Sequence, residues 1–113
     1  KKGGFLGILC DQYSGRAGLK TKLFGAESSI TPLPAILALK HQCPVIPVTL
    51  ETLSPGRWEM RFHKPIQLSP QIDKVEATHL LVKVMENIMH TYSRDIFWLH
   101  DRWRLKRNRK QNR

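Results

Sequence analysis

The sequence predicts an α/β fold, a mixed sheet flanked by helices, on three observations. Two short apolar runs, Phe5-Leu6-Gly7-Ile8-Leu9-Cys10 and Val45-Ile46-Pro47-Val48-Thr49-Leu50, have the length and aliphatic content of buried strands. Two other segments, near residues 31–41 and 73–92, repeat apolar residues at helical spacing. Finally, Arg57-Trp58-Glu59-Met60-Arg61-Phe62-His63 alternates polar and apolar without a break, the period of a strand with one face in the core.

Taken in order, the run at 5–10 is expected to be a strand buried on both faces. It delivers Asp11-Gln12 and then the polar loop Tyr13-Ser14-Gly15-Arg16-Ala17-Gly18 at its carboxyl end, the usual place for a site in an open α/β sheet. Lys20, Lys22 and a tight Leu23-Phe24-Gly25 turn are expected to continue this loop. Thr31-Pro32 starts a helix, with Thr as N-cap and Pro at the first helical position, where its missing N–H costs nothing. Ala35, Ile36, Ala38 and Leu39 carry it to about His41, and Pro44 stops it. In the next strand, Pro47 forces an edge, a bulge or an interrupted ladder. Ser54-Pro55-Gly56 is turn chemistry, so residues 45–51 and 57–63 are expected to pair as an antiparallel hairpin with Trp58, Met60 and Phe62 inward. Asp73 caps the longest helix, with Glu76 three residues on in a capping-box pattern, and Leu81, Val84, Met85, Ile88, Met89 and Tyr92 form its apolar face. Ser93-Arg94-Asp95 interrupts it, and residues 96–104 are expected to form a short aromatic and basic helix.

Composition bounds the function. With 113 residues, 41% of them apolar, the chain is one domain or part of one, and a disordered tail or collagen-like repeat is excluded. No apolar run approaches the ~20 residues of a membrane-spanning helix, and no secretory signal opens the chain. The opening Lys1-Lys2-Gly3-Gly4, leading straight into an apolar run, is expected to lie inside a larger protein. Of the net charge of +10, seven charges fall in residues 102–113, as Arg102, Arg104, Lys106, Arg107, Arg109, Lys110 and Arg113 with no acid among them. Such a segment suits a polyanion, whether membrane phosphates or nucleic acid, or is simply a solvated terminus. Cys10 and Cys43, isolated in apolar settings, are expected to be reduced and buried; they form neither a disulfide framework nor a zinc site.

Chemistry-bearing motifs are few. There is no Walker loop, dinucleotide fingerprint, paired CxxC or nucleophile elbow. Gly15-Arg16-Ala17-Gly18 lets backbone approach a ligand and offers Arg16 for bidentate contact with phosphate or carboxylate; an ordinary loop has the same pattern. His41, His63 and His79 are expected to be surface or structurally satisfied residues. Trp98 and Trp103 are expected to complete the core while the charges around them face a membrane.

In order, Gly7-Ile8-Leu9-Cys10-Asp11-Gln12, Gly15-Arg16-Ala17-Gly18, Leu23-Phe24-Gly25, Ser29-Ile30-Thr31-Pro32, Cys43-Pro44-Val45-Ile46-Pro47-Val48 and Phe97-Trp98-Leu99-His100-Asp101-Arg102-Trp103-Arg104 resemble the C-terminal portion of the bacterial lipid A biosynthesis (lauroyl/myristoyl) acyltransferases, within the lysophospholipid acyltransferase superfamily. The resemblance implies that residues 1–104 are the C-terminal part of a glycerolipid-acyltransferase-like domain and residues 105–113 a basic tail. It implies acyl transfer from acyl carrier protein, or acyl-CoA, to a hydroxyl of a phosphorylated glycolipid at the cytoplasmic face of the bacterial inner membrane. No metal or organic cofactor is expected, and no nucleic acid. The family's base, a histidine in a His-x4-Asp/Glu motif, is expected upstream of residue 5, so these residues alone are expected to be inactive. His90 and Asp95 have that spacing but lie at the end of an amphipathic helix, downstream of every candidate loop, and are set aside. By the same resemblance, Asp11, Gln12, Arg16, Gly18, Phe24 and Gly25 bind substrate, and Val45-Ile46-Pro47-Val48 lines the acyl or carrier site. Leu23 stands where the family often has Phe, and Asp101 where it often has a basic residue, which leaves position 101 without an assigned role. Competing readings are a small basic nucleic-acid-binding module and a non-catalytic lipid-binding homologue.

Overall fold

The computed structural model describes residues 3–96 and 99–103. Among these residues the architecture is mixed α/β: two α-helices and two separate two-stranded antiparallel sheets. Strands β1 (Leu19–Leu23) and β2 (Ala26–Ile30) pair from Leu19 opposite Ile30 to Leu23 opposite Ala26. This corrects the expectation of a continuous loop. Phe24 and Gly25 both have positive φ, 51° and 78°, the pattern of a two-residue hairpin turn whose twist matches its strands. The side chains alternate accordingly, with Lys20 and Lys22 exposed and Leu23 fully buried.

Helix α1 (Leu33–His41) starts one residue later than expected: Pro32 occupies the cap position and Pro34 the first turn. Thr31 still serves the helix start, its Oγ1 accepting the Leu33 N–H at 3.3 Å. Gln42, at φ 49°, closes the helix in the left-handed conformation ahead of Pro44. Pro47 interrupts the next ladder as predicted. Val45 forms an isolated bridge with Ile66, and strand β3 (Val48–Ser54) begins only beyond the proline. Strand β4 (Arg57–Phe62) returns through a turn in which Gly56 takes φ 76°, as the hairpin reading requires.

Helix α2 (Lys74–Thr91) matches its sequence signal closely. Asp73 caps it, with Oδ1 accepting the N–H groups of Val75 at 2.7 Å and Glu76 at 2.9 Å, and these bonds hold its carboxyl below the usual carboxylate range. The helix serves two core clusters. Val82 and Met89 pack with Leu23 and Ile30, joined by Met85, Ile96 and Trp103; Ala77 packs with Ala35, Ala38 and Leu68. A 3-10 turn, Ser93–Asp95, follows, and residues 99–103 form bends where a short helix was expected. Phe97, Trp98, Arg104 and the 105–113 tail lie outside the described residues.

Two other expectations are overturned. Residues 5–10 are not a strand and their apolar side chains are not enclosed: Phe5 is fully exposed and Leu9 78% exposed, with only Ile8 and Cys10 half-buried. A strand buried on both faces needs neighbours on both edges, and neither sheet reaches this segment. The hairpin β3–β4 keeps the predicted alternation but has its faces reversed. Val48 lies opposite Phe62 and Leu50 opposite Met60, so these four side chains share one face with Trp58, and that face is exposed. The opposite face makes the contacts with the rest of the molecule, with Thr49, Glu51 and His63 half-buried while Glu59 and Arg61 stay exposed. His63 meets Tyr92 edge to face at 5.4 Å, Thr49 Oγ1 and His63 Nε2 are 2.9 Å apart, and the Thr52 N–H donates to Asp95. On that face Glu51 opposes Glu59, and Arg61 bridges both at 3.3 and 2.7 Å, which removes the like-charge penalty. Cys43 is likewise exposed rather than buried; both cysteines are free thiols.

Candidate functional site

The polar loop after residue 10 is built onto the β1–β2 hairpin by small side chains. The Ser14 N–H donates to the Ser29 carbonyl at 2.8 Å, and Ser29 Oγ donates to the Gly15 carbonyl at 2.7 Å. Gly15 takes φ 61° and opens a 3-10 turn, Gly15–Ala17. Gly18 is needed for close approach: a Cβ there would stand 2.2 Å from Ser29 Oγ and 2.7 Å from Ser14 Cβ. The loop is therefore held by the Ser14 and Ser29 bonds in a close packing that a larger residue at 18 would block.

On this base the six expected site residues fall into four groups. Asp11 is anchored: its Oδ2 accepts from Arg102 Nη2 at 2.8 Å. Gln12 and Arg16 are exposed, Arg16 in the middle of the 3-10 turn. Gly18 sits beneath the loop, while Phe24 and Gly25 form the hairpin turn, with the Phe24 N–H donating to Glu86 Oε1 at 2.6 Å. With Lys20 and Lys22 on the outer face of β1, three exposed cations lie within seven residues of chain. An open cleft of about 420 Å³ is lined by Phe24, Met89, His90, Ser93 and Trp103, so of the six expected residues it takes Phe24 alone. His90 faces this cleft, but the carboxylate five residues on, Asp95, accepts the Thr52 N–H across the β3–β4 hairpin.

Cys10 precedes Asp11 and is not an activated nucleophile. Burial pushes its thiol up, and the neighbouring Asp11 carboxylate pushes it in the same direction, so the reactive thiolate is disfavoured.

The residue that sequence reasoning missed is Arg102. It was counted with the basic tail, yet its side chain is 1% exposed and ion-paired with Asp11. Its neighbours are built in with it: the Tyr13 N–H donates to His100 Nε2 at 3.2 Å, Ser28 Oγ donates to the Arg102 carbonyl, and Trp103 Nε1 donates to the Leu23 carbonyl at 2.9 Å. The available signal was the lone acid at the end of an apolar run, which needs a cation, and the one basic residue flanked by Asp101 and Trp103.

Fold and loop geometry together describe an α/β unit with an anchored carboxylate, Asp11, and three exposed cations, Arg16, Lys20 and Lys22, further along the same stretch of chain. Residues 1–105 match the family model for bacterial lipid A biosynthesis acyltransferases. The chain belongs to that family, whose members are acyltransferases. Comparison with curated proteins gives no match. Among the described residues no helix is long and apolar enough to cross a membrane.

Proposed function

We propose that this chain supplies the acceptor side of an acyl-transfer site. The reaction moves a fatty acyl group from a thioester, on acyl carrier protein or coenzyme A, to a hydroxyl of a phosphorylated glycolipid. The family match over residues 1–105, combined with the exposed cations Arg16, Lys20 and Lys22 in the chain that follows Asp11, is the observation that carries the reading. A phosphate on the acceptor is the natural partner for these cations, and Arg is the residue suited to bidentate phosphate contact. A histidine base outside these 113 residues takes the acceptor's hydroxyl proton. The oxygen attacks the thioester carbonyl, the carbon–sulfur bond breaks, and the thiolate leaves. Asp11 and Gln12 supply hydrogen-bonding groups for the sugar, and Gly18, Phe24 and Gly25 give the loop its shape. No cofactor is required by this chemistry.

The proposed setting is the cytoplasmic face of the bacterial inner membrane, where basic residues near an anionic leaflet contribute about 1 kcal/mol each. Arg102 does not belong to that attachment, since it is buried in its ion pair. The test is kinetic: in the acyltransferase carrying this chain, Arg16→Ala is expected to raise the KM of the phosphorylated acceptor while leaving that of the acyl donor nearly unchanged. Equal changes in both would contradict a phosphate-binding role.

A further inference from the structure

We infer that Arg102 is a positioning residue for the acceptor loop, the centre of a strap formed by residues 99–103 that holds Asp11 in place for its substrate. The inference rests on the acceptor-side reading above and extends it to a segment far away in sequence.

The five-residue stretch ties down three separate pieces of the site. Arg102 Nη2 reaches Asp11 Oδ2 at 2.8 Å, His100 Nε2 takes the Tyr13 N–H at 3.2 Å, and the Arg102 carbonyl takes the Ser28 hydroxyl. Trp103 adds a bond from its indole N–H to the Leu23 carbonyl, at the mouth of the Phe24-Gly25 turn. Both strands of the β1–β2 hairpin and the start of the polar loop are thus gripped by one segment.

The burial of the ion pair is unequal, and this separates support from presentation. The Arg102 side chain is 1% exposed and that of Asp11 39%. Placing a guanidinium in the interior is costly, and an ion pair serving stability alone is as easily replaced by apolar packing. Here the buried partner fixes one oxygen of a carboxylate that keeps more than a third of its side chain in solvent. Asp11 is therefore the group offered outward and Arg102 the group that fixes its orientation, the arrangement by which a supporting side chain preorganises a binding one. The planar guanidinium suits this task better than a lysine, whose single point charge does not fix direction.

The experiment measures both KM values and the thermal midpoint in the acyltransferase carrying this chain, with a phosphorylated glucosamine disaccharide lipid as acceptor and an acyl-carrier thioester as donor. Asp11→Asn and Arg102→Met are each expected to raise the acceptor KM about tenfold, a misplacement effect, with the donor KM unchanged. The double variant is expected to be no worse than the worse single one, because the two residues act as a unit. Arg102→Lys, which retains charge and most of the volume, is expected to keep the thermal midpoint near that of the parent yet recover only part of the acceptor KM; should Arg102→Met fail to fold, this variant and Asp11→Asn carry the test. Parallel rises in both KM values, a fall in thermal midpoint with neither KM moved, or multiplying effects in the double variant would overturn the inference. If Arg16→Ala raises the acceptor KM while Asp11→Asn and Arg102→Lys do not, the acceptor-side reading stands and the strap inference fails. If none of them does, both fail.

Discussion

The two hairpins are built from the same kind of pattern and end in opposite states. In β1–β2 the apolar positions Leu23 and Ile30 are buried against Val82 and Met89, and the segment 99–103 closes over the adjoining loop through side-chain bonds. In β3–β4, Val48, Leu50, Trp58, Met60 and Phe62 form one continuous apolar face exposed to solvent, while Thr49, Glu51, Arg61 and His63 occupy the other. Alternation decides which residues share a face. It does not decide which face the rest of the molecule covers, and that depends on the elements packed beside each hairpin.

The largest expected effect lies at the strapped end. Asp11→Ala leaves the Arg102 guanidinium buried without its carboxylate and is expected to cost about 3 kcal/mol in a denaturant melt, the lower end of the range for a broken buried pair because Asp11 meets solvent. Next comes Gly18→Ala, which drives a methyl group into Ser29 Oγ and Ser14 Cβ and should cost about 2 kcal/mol by overpacking. At the other hairpin the same measurement should find little: Met60→Thr and Phe62→Thr are expected to stay within about 0.5 kcal/mol of the parent, as exposed positions do. A cost above 1 kcal/mol there would show that the face is covered in solution, and the contrast between the hairpins would disappear.

The same contrast explains what could be read from the residues. Helix α2 was legible end to end, because its cap Asp73 and its apolar period are both local signals. The β3–β4 turn and the break at Pro47 were legible for the same reason: the positive φ of Gly56 and the missing N–H of Pro47 act on their own residues. Residues 5–10 were misread because an apolar run becomes a strand only beside a partner, and the partner is not a property of the run. The tight turn at Leu23-Phe24-Gly25 is legible, but the strands flanking it are not, because polar residues stand at inward positions: Thr21 in β1, and the buried Ser28 and Ser29 in β2. In the candidate site, the chemical identities of Asp11 and Arg16 could be named from the sequence. The ion pair with Arg102 spans 91 residues, and no local pattern encodes it.

The central claim, that these residues recognise a phosphorylated sugar acceptor for acyl transfer, is tested most directly by equilibrium binding. A glucosamine disaccharide is titrated into the protein with its phosphates present and with them removed. The phosphorylated form is expected to bind at least about tenfold more tightly, one charge-assisted contact's worth, with that preference abolished by Arg16→Ala. Equal affinity for the two sugars, or a preference unaltered by Arg16→Ala, would contradict it.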